Sequence, residues 1–152
     1  FLSALGAHLC ARFGPRIDPS RVGLIGFSAG GLSSLLSAVE PPQPAIWVGL
    51  DPVDRKGLGA KAAPRLACRA VVLTAEPSAC NAQGNARDLL AALTRGEHAH
   101  VAGAAHTDAE WPTTRMAEVV CGRSTEEKRD EFRRRAIEAL RETLLPRPAP
   151  EP

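Results

Sequence analysis

GLIGFSAGG, residues 23–31, sets four glycines and one serine behind a short apolar run. Residues 21–27 read as a continuous apolar strand, the kind that is buried on both faces of a parallel sheet. Residues 30–39 return to helix, with Leu32, Leu35 and Leu36 on one stripe. Between them, Gly26-Phe27-Ser28-Ala29-Gly30 has the form G-x-S-x-G. After a buried strand and before a helix, that pattern holds a serine on a tight turn, and its neighbours must lack bulk so that strand and helix can approach. Gly26, Gly30 and Gly31 supply the small size. The helix N-terminus aims free N–H groups at Ser28, which makes the Ala29 N–H a candidate oxyanion donor. A plainer alternative is a tight crossover in which Ser28 is only a helix N-cap. A phosphate-binding loop is disfavoured, because no G-x-G-x-x-G and no Walker lysine are present.

Outward from this stretch, strand alternates with helix or a long crossover. Residues 1–13 carry Leu2, Leu5, His8, Leu9 and Phe13 at helical intervals, with Gly14-Pro15 as the stop and His8 on the helix surface or in the core. Buried strands are expected at residues 45–50 and 69–74, and a short fourth at 97–101. A helix is expected over 85–93. A last long helix begins near Ser124, where Ser124-x-x-Glu127 has the form of a capping box and Phe132, Ala136, Leu140 and Leu144 form a stripe. The fold class that follows is α/β, with right-handed crossovers and a parallel sheet flanked by helices. Residues 1–145 read as one domain, and 146–152 as a tail disordered by composition.

Bulk properties narrow the function classes. A chain of 152 residues that is 44% hydrophobic can bury a core, and 19 basic against 17 acidic residues leave no electrostatic case for nucleic acid or an anionic membrane. No apolar run approaches the roughly 20 residues of a membrane span. The opening on Phe1 suggests that an N-terminal part, with any signal peptide, is missing. Cys10, Cys68, Cys80 and Cys121 allow three pairings, and Cys80 with Cys121, in surface segments around the last strand, is the candidate disulfide. A bridge would place the chain in a secreted or periplasmic setting, and free thiols in the cytoplasm. With no C-x-x-C and no H-E-x-x-H, neither metal nor other cofactor is implied.

A serine is a poor nucleophile at neutral pH, so a catalytic Ser28 needs a base and a group to orient it, in chain order serine, acid, histidine. His106 follows a strand end in a loop of small residues, whereas His98 and His100 lie on or beside the strand and His8 precedes the serine. The acid has two candidates. Asp51 stands directly after the strand that follows the turn and precedes the rigid Pro52, while Glu76 stands after the next strand, and Asp54 and Asp108 are nearby rivals. Asp51 is favoured, although an Asp-Pro turn or a solvated loop glutamate would explain either residue without chemistry. Trp47, Leu50 and Trp111 are candidates for an acyl or alcohol pocket, or for core and rim.

The segments GFSAGG, GLDPVD, LTAEPSACNAQGNA and AAHTDAEWP together resemble the α/β-hydrolase superfamily, in particular its chlorophyllase-like and platelet-activating-factor-acetylhydrolase-like serine esterases. The resemblance implies Ser28 as nucleophile, His106 as base and Asp51 as the acid after the strand that follows the turn. Polyester-hydrolase and cutinase-like relatives place the acid one strand later, where this chain has Glu76. It spans residues 1–145 but only the second half of that fold, without the early strands or the loop that donates a second oxyanion N–H. Strand 22–27 would then be an unpaired apolar edge, and the chain is expected to belong to a longer protein or to be inactive alone. The implied function is hydrolysis of a small-molecule or lipophilic carboxylic ester. The alternative is a non-catalytic hydrolase-fold binding module. Substrate and oligomeric state are left open.

Overall fold

Four short strands, β1 (Gly23–Phe27), β2 (Ile46–Leu50), β3 (Arg69–Thr74) and β4 (Gly96–His100), pair in parallel in the order β1-β2-β3-β4. This is a computed structural model, and it describes residues 2–14 and 17–145. The expected helix stop at Pro15 and the expected tail at 146–152 lie outside the described residues. Parallel neighbours cannot be joined by a tight hairpin, so each crossover carries helix. α1 (Leu2–Phe13) precedes the sheet and exposes His8; α2 (Ser28–Ala38), α3 (Leu58–Ala62) and α4 (Arg87–Ala92) lie in the crossovers; α5 (Arg115–Cys121) and α6 (Glu126–Leu144) follow β4.

The apolar runs are continuous because the central strands are covered on both sides. Ile46, Val48, Val71 and Leu73 pack against Phe132, Ala136 and Ala139 of α6. Trp47, Ala70 and Val72 face the other way, against Leu35 and Ala38 of α2, Ala62 of α3 and Leu89 of α4. The register aligns Phe27, Leu50, Leu73 and Ala99 across the sheet, so the segments leaving the strands emerge side by side. In open parallel sheets this end is where ligands are handled. Among the described residues no helix is long and apolar enough to cross a membrane.

Several local expectations shift. α2 starts at Ser28 rather than Gly30, with Phe27 as its N-cap residue, so Ser28 is the first helical residue and not the cap. The last helix is capped by Thr125, whose side chain accepts from the Lys128 N–H; Ser124 is buried, and its hydroxyl accepts from Arg129 Nη1. The expected Ser124-x-x-Glu127 box is therefore one residue out of step. Trp47 is fully buried and donates from Nε1 to Ser34 Oγ at 2.9 Å, so it belongs to the core. β1 is an outer strand of the sheet with Ile25 about half exposed, while the opposite outer strand, β4, presents Glu97, His98 and His100 to solvent. Charged side chains on an edge discourage further pairing, and β1 lacks them.

Candidate active site

The turn at residues 27–31 is built by its packing. Ser28 has a φ of 52°, a conformation that costs a non-glycine residue about 1–3 kcal/mol and persists only when the surroundings enforce it. A side chain at Gly26 would collide with the Gly30 carbonyl and Ser34 Oγ, and a Cβ at Gly31 would lie 2.8 Å from Pro52 Cβ. Gly30 differs from the expectation: nothing lies within 4 Å of a Cβ placed there, so its small size is not demanded by packing. Asp51 has a φ of 39° and is held by its N–H, which donates to Leu73 O at 2.7 Å. Val53 N–H donates to Ser28 O at 3.1 Å, which ties the two unusual turns together.

His106 arrives on the short 3₁₀ turn His106–Ala109 after β4 and joins these two residues. Its Nε2 lies 3.0 Å from Ser28 Oγ, and its Nδ1 lies 2.6 Å from Asp51 Oδ2. Asp51 is 2% exposed and His106 5%, so both sit out of bulk water. The Phe27 ring, 4.6 Å from the imidazole between centroids, covers one side of it. The other carboxylate oxygen, Asp51 Oδ1, accepts from Ala75 N–H at 3.0 Å, and Oδ2 also accepts from Asn81 Nδ2 at 3.0 Å. With Asp51 accepting from Nδ1–H, Nε2 is left as the free base facing the serine hydroxyl. Ala29 is the second residue of α2, where N–H groups have no intrahelical acceptor.

The rival acids have other employment. Asp54 accepts from Gly59 and Ala60 N–H at the start of α3, at 2.7 and 3.0 Å. Asp108 accepts from Ala105 N–H at 2.8 Å and Thr125 N–H at 2.7 Å, which fixes the His106 turn to the head of α6. Glu76 is exposed and bonds Gly103 N–H at 2.7 Å and His100 Nε2 at 3.1 Å; these two contacts, the backbone bond first, hold its carboxyl below the usual glutamate range. It does not meet His106.

Sequence reasoning missed Asn81. The candidate disulfide is present: the structure joins Cys80 to Cys121, with Cys10 and Cys68 free. The bridge links the Asn81 loop to the end of α5, and the next carbonyl, Gly122 O, accepts from the hydroxyl of Thr107, the residue after His106. A groove of about 410 Å³ is lined by Ile25, Leu50, Phe132 and Trp111 and reaches Asp108 and Ala109 of the His106 turn, but not Ser28, Asp51 or His106; Trp111 stacks on Arg129 at 4.1 Å. The chain matches no family model and no curated protein.

Proposed function

We propose that this protein is a serine hydrolase of the α/β-hydrolase type, cleaving carboxylic esters with Ser28 as nucleophile, His106 as general base and acid, and Asp51 as the orienting carboxylate. One observation carries this reading: Ser28 Oγ, both imidazole nitrogens and Asp51 Oδ2 form a single chain of contacts of 3.0 and 2.6 Å. Such a constellation is recognised by geometry and roles rather than by position in the chain. Chlorophyllase-like and platelet-activating-factor-acetylhydrolase-like esterases are the relatives that the motifs resemble, with the acid after β2.

The chemistry follows from the contacts. Ser28 Oγ bonds to the ester carbonyl carbon as its proton passes to His106 Nε2, and the carbonyl oxygen becomes an oxyanion facing the Ala29 N–H. Asp51 stabilises the imidazolium that forms without taking its proton. Collapse of the adduct breaks the bond to the alcohol, which leaves with the proton from Nε2. Water then repeats the sequence on the acyl-serine, its proton going to Nε2 and on to Ser28 Oγ as the carboxylic acid departs. The Cys80–Cys121 bridge favours an oxidising compartment, secreted or periplasmic.

The test is covalent labelling by a fluorophosphonate. The full-length protein is expected to be modified at Ser28, and the His106→Ala variant to lose the modification. A folded full-length protein that takes up no label would overturn the reading and leave the binding-module alternative standing.

A further inference from the structure

Asp51 presents one oxygen to two donors. Oδ2 accepts from His106 Nδ1 and also from Asn81 Nδ2, while Oδ1 is fixed separately by the Ala75 N–H. Asn81 is itself 1% exposed, and all four of its hydrogen-bonding positions are used. Its amino group donates to Asp51 Oδ2 and to Glu76 O at 3.0 and 2.8 Å; its Oδ1 accepts from Ser78 and Gly84 N–H at 2.8 and 3.0 Å. This pattern settles which way the amide faces. Two backbone N–H groups can be met only by the oxygen, so the amino group must point at the carboxylate. A flipped amide would set its oxygen against Asp51 Oδ2 and its amino group against two donors.

We infer that Asn81 is a positioning residue for Asp51, an inference that rests on the assignment of Ser28, His106 and Asp51 above. A carboxylate hinged only at Oδ1 would turn about its Cβ–Cγ bond and carry Oδ2 away from the imidazole. The Asn81 donor stops that rotation and leaves one lone-pair direction of Oδ2 for Nδ1–H. The amide can do this because its loop is anchored on both sides: backbone donors grip its oxygen, and the adjacent Cys80 is bridged to Cys121, next to the carbonyl that Thr107 engages. Acid and base are thereby supported from the two sides of one bridge, the acid by Asn81 next to Cys80 and the turn of the base by Gly122 next to Cys121, as groups behind a reacting shell must be.

The competing explanation is that Asn81 only shapes the turn through its oxygen. Two substitutions separate the cases. Asn81→Asp keeps an acceptor for Ser78 and Gly84 but sets a carboxylate against Asp51; Asn81→Ala removes both functions. The readout is the fluorophosphonate rate constant per titratable Ser28 site, which a loss of folded protein does not move, together with kcat and KM on a p-nitrophenyl ester. For a positioning role, Asn81→Ala slows the per-site rate about 10-fold and Asn81→Asp about 100-fold, in line with losing a hydrogen bond to a charged group. kcat falls with KM unchanged. An Asn81→Asp protein as fast per site as wild type overturns the inference, as does an unchanged per-site rate in Asn81→Ala. Wild-type protein that takes up no label overturns the underlying assignment together with this inference, so the two failures are told apart.

Discussion

Two chains of carboxylate, imidazole and hydroxyl cross the carboxyl ends of the strands, and they share connectivity but little else. One runs Asp51, His106, Ser28; the other runs Glu76, His100, Thr74, with contacts of 3.1 and 3.3 Å. In the first pair the imidazole and carboxylate side chains are 7% and 3% exposed, in the second 42% and 50%. Hydrogen bonds strengthen where the local dielectric is low, so equal connectivity does not mean equal chemistry. The backbone under the hydroxyls differs too. Ser28 is forced into a left-handed turn at the head of an 11-residue helix, whereas Thr74 closes a regular strand and its hydroxyl is shared with His98 Nε2 at 2.9 Å. Only the first hydroxyl has helix N–H groups beside it to receive developing negative charge.

The sharpest way to break the comparison is to remove each hydroxyl in turn. Ser28→Ala is expected to lower kcat on a p-nitrophenyl ester about 10⁶-fold, the scale seen when a nucleophile acting in concert is lost. Thr74→Val should leave it within about twofold, as exposed polar contacts contribute little. The carboxylates come next. Asp51→Asn is expected to cost about 10⁴-fold, because the amide can no longer select the tautomer that leaves Nε2 free. Glu76→Gln should be close to silent, and a reversed ranking in the same assay would transfer the orienting role to Glu76.

That ranking was only partly legible in the chain. Ser28 and His106 stand out because a glycine-rich strand-to-helix turn and a loop of small residues each have a local signature. Asp51 and Glu76 do not separate in one dimension, since both follow strand ends. What distinguishes them is the donors gathered around Asp51 from Ala75, Asn81 and His106, all distant in sequence. Asn81 carries no motif; only its neighbours in space reveal it. The parallel sheet was legible because β2 and β3 are buried on both faces and so lack alternation. α5 was not, since its apolar Met116, Val119 and Val120 face solvent and its seven residues bury none. The five residues of α3 span too few turns to show a period.

The bridge should sharpen the contrast at the level of stability. Cys80 and Cys121 are 41 residues apart, so replacing both by serine should lower unfolding free energy by about 2–4 kcal/mol in denaturant titrations. The buried chain depends on this tie, because the loop carrying Asn81 is one of its anchors. Per-site labelling of Ser28 is therefore expected to slow as well. In the exposed chain the same loop touches the Glu76 carbonyl and not its carboxylate, so the Glu76–His100 contact should survive. A smaller effect is expected under the hydroxyl itself. Gly26→Ala should destabilise by about 1–3 kcal/mol, because backbone at Gly30 blocks the added methyl. Gly30→Ala meets open space within a helix and should be neutral or stabilising by up to about 1 kcal/mol in the same titration.

The smallest effect concerns pH, and the exposed chain contributes to it. His98 is held below its ordinary value of 6.5, first by burial and then by the neighbouring charge of His100. A group depressed in the folded state binds fewer protons there than in the unfolded chain, so stability is full above pH 6.5 and declines as pH falls through the lower folded value. Glu76 repeats the pattern one step further down, its contribution present above 4.5 and lost as its carboxylate protonates. Thermal unfolding followed across pH 7 to 3 should therefore decline with falling pH, with His98→Gln flattening the fall that starts at 6.5 and Glu76→Gln easing the fall that starts at 4.5, to which Glu97 and Asp18 also contribute. Neither substitution should alter the pH dependence of Ser28 labelling per site. A change there would mean that the exposed imidazoles feel the buried one, and the separation between the two chains would fail.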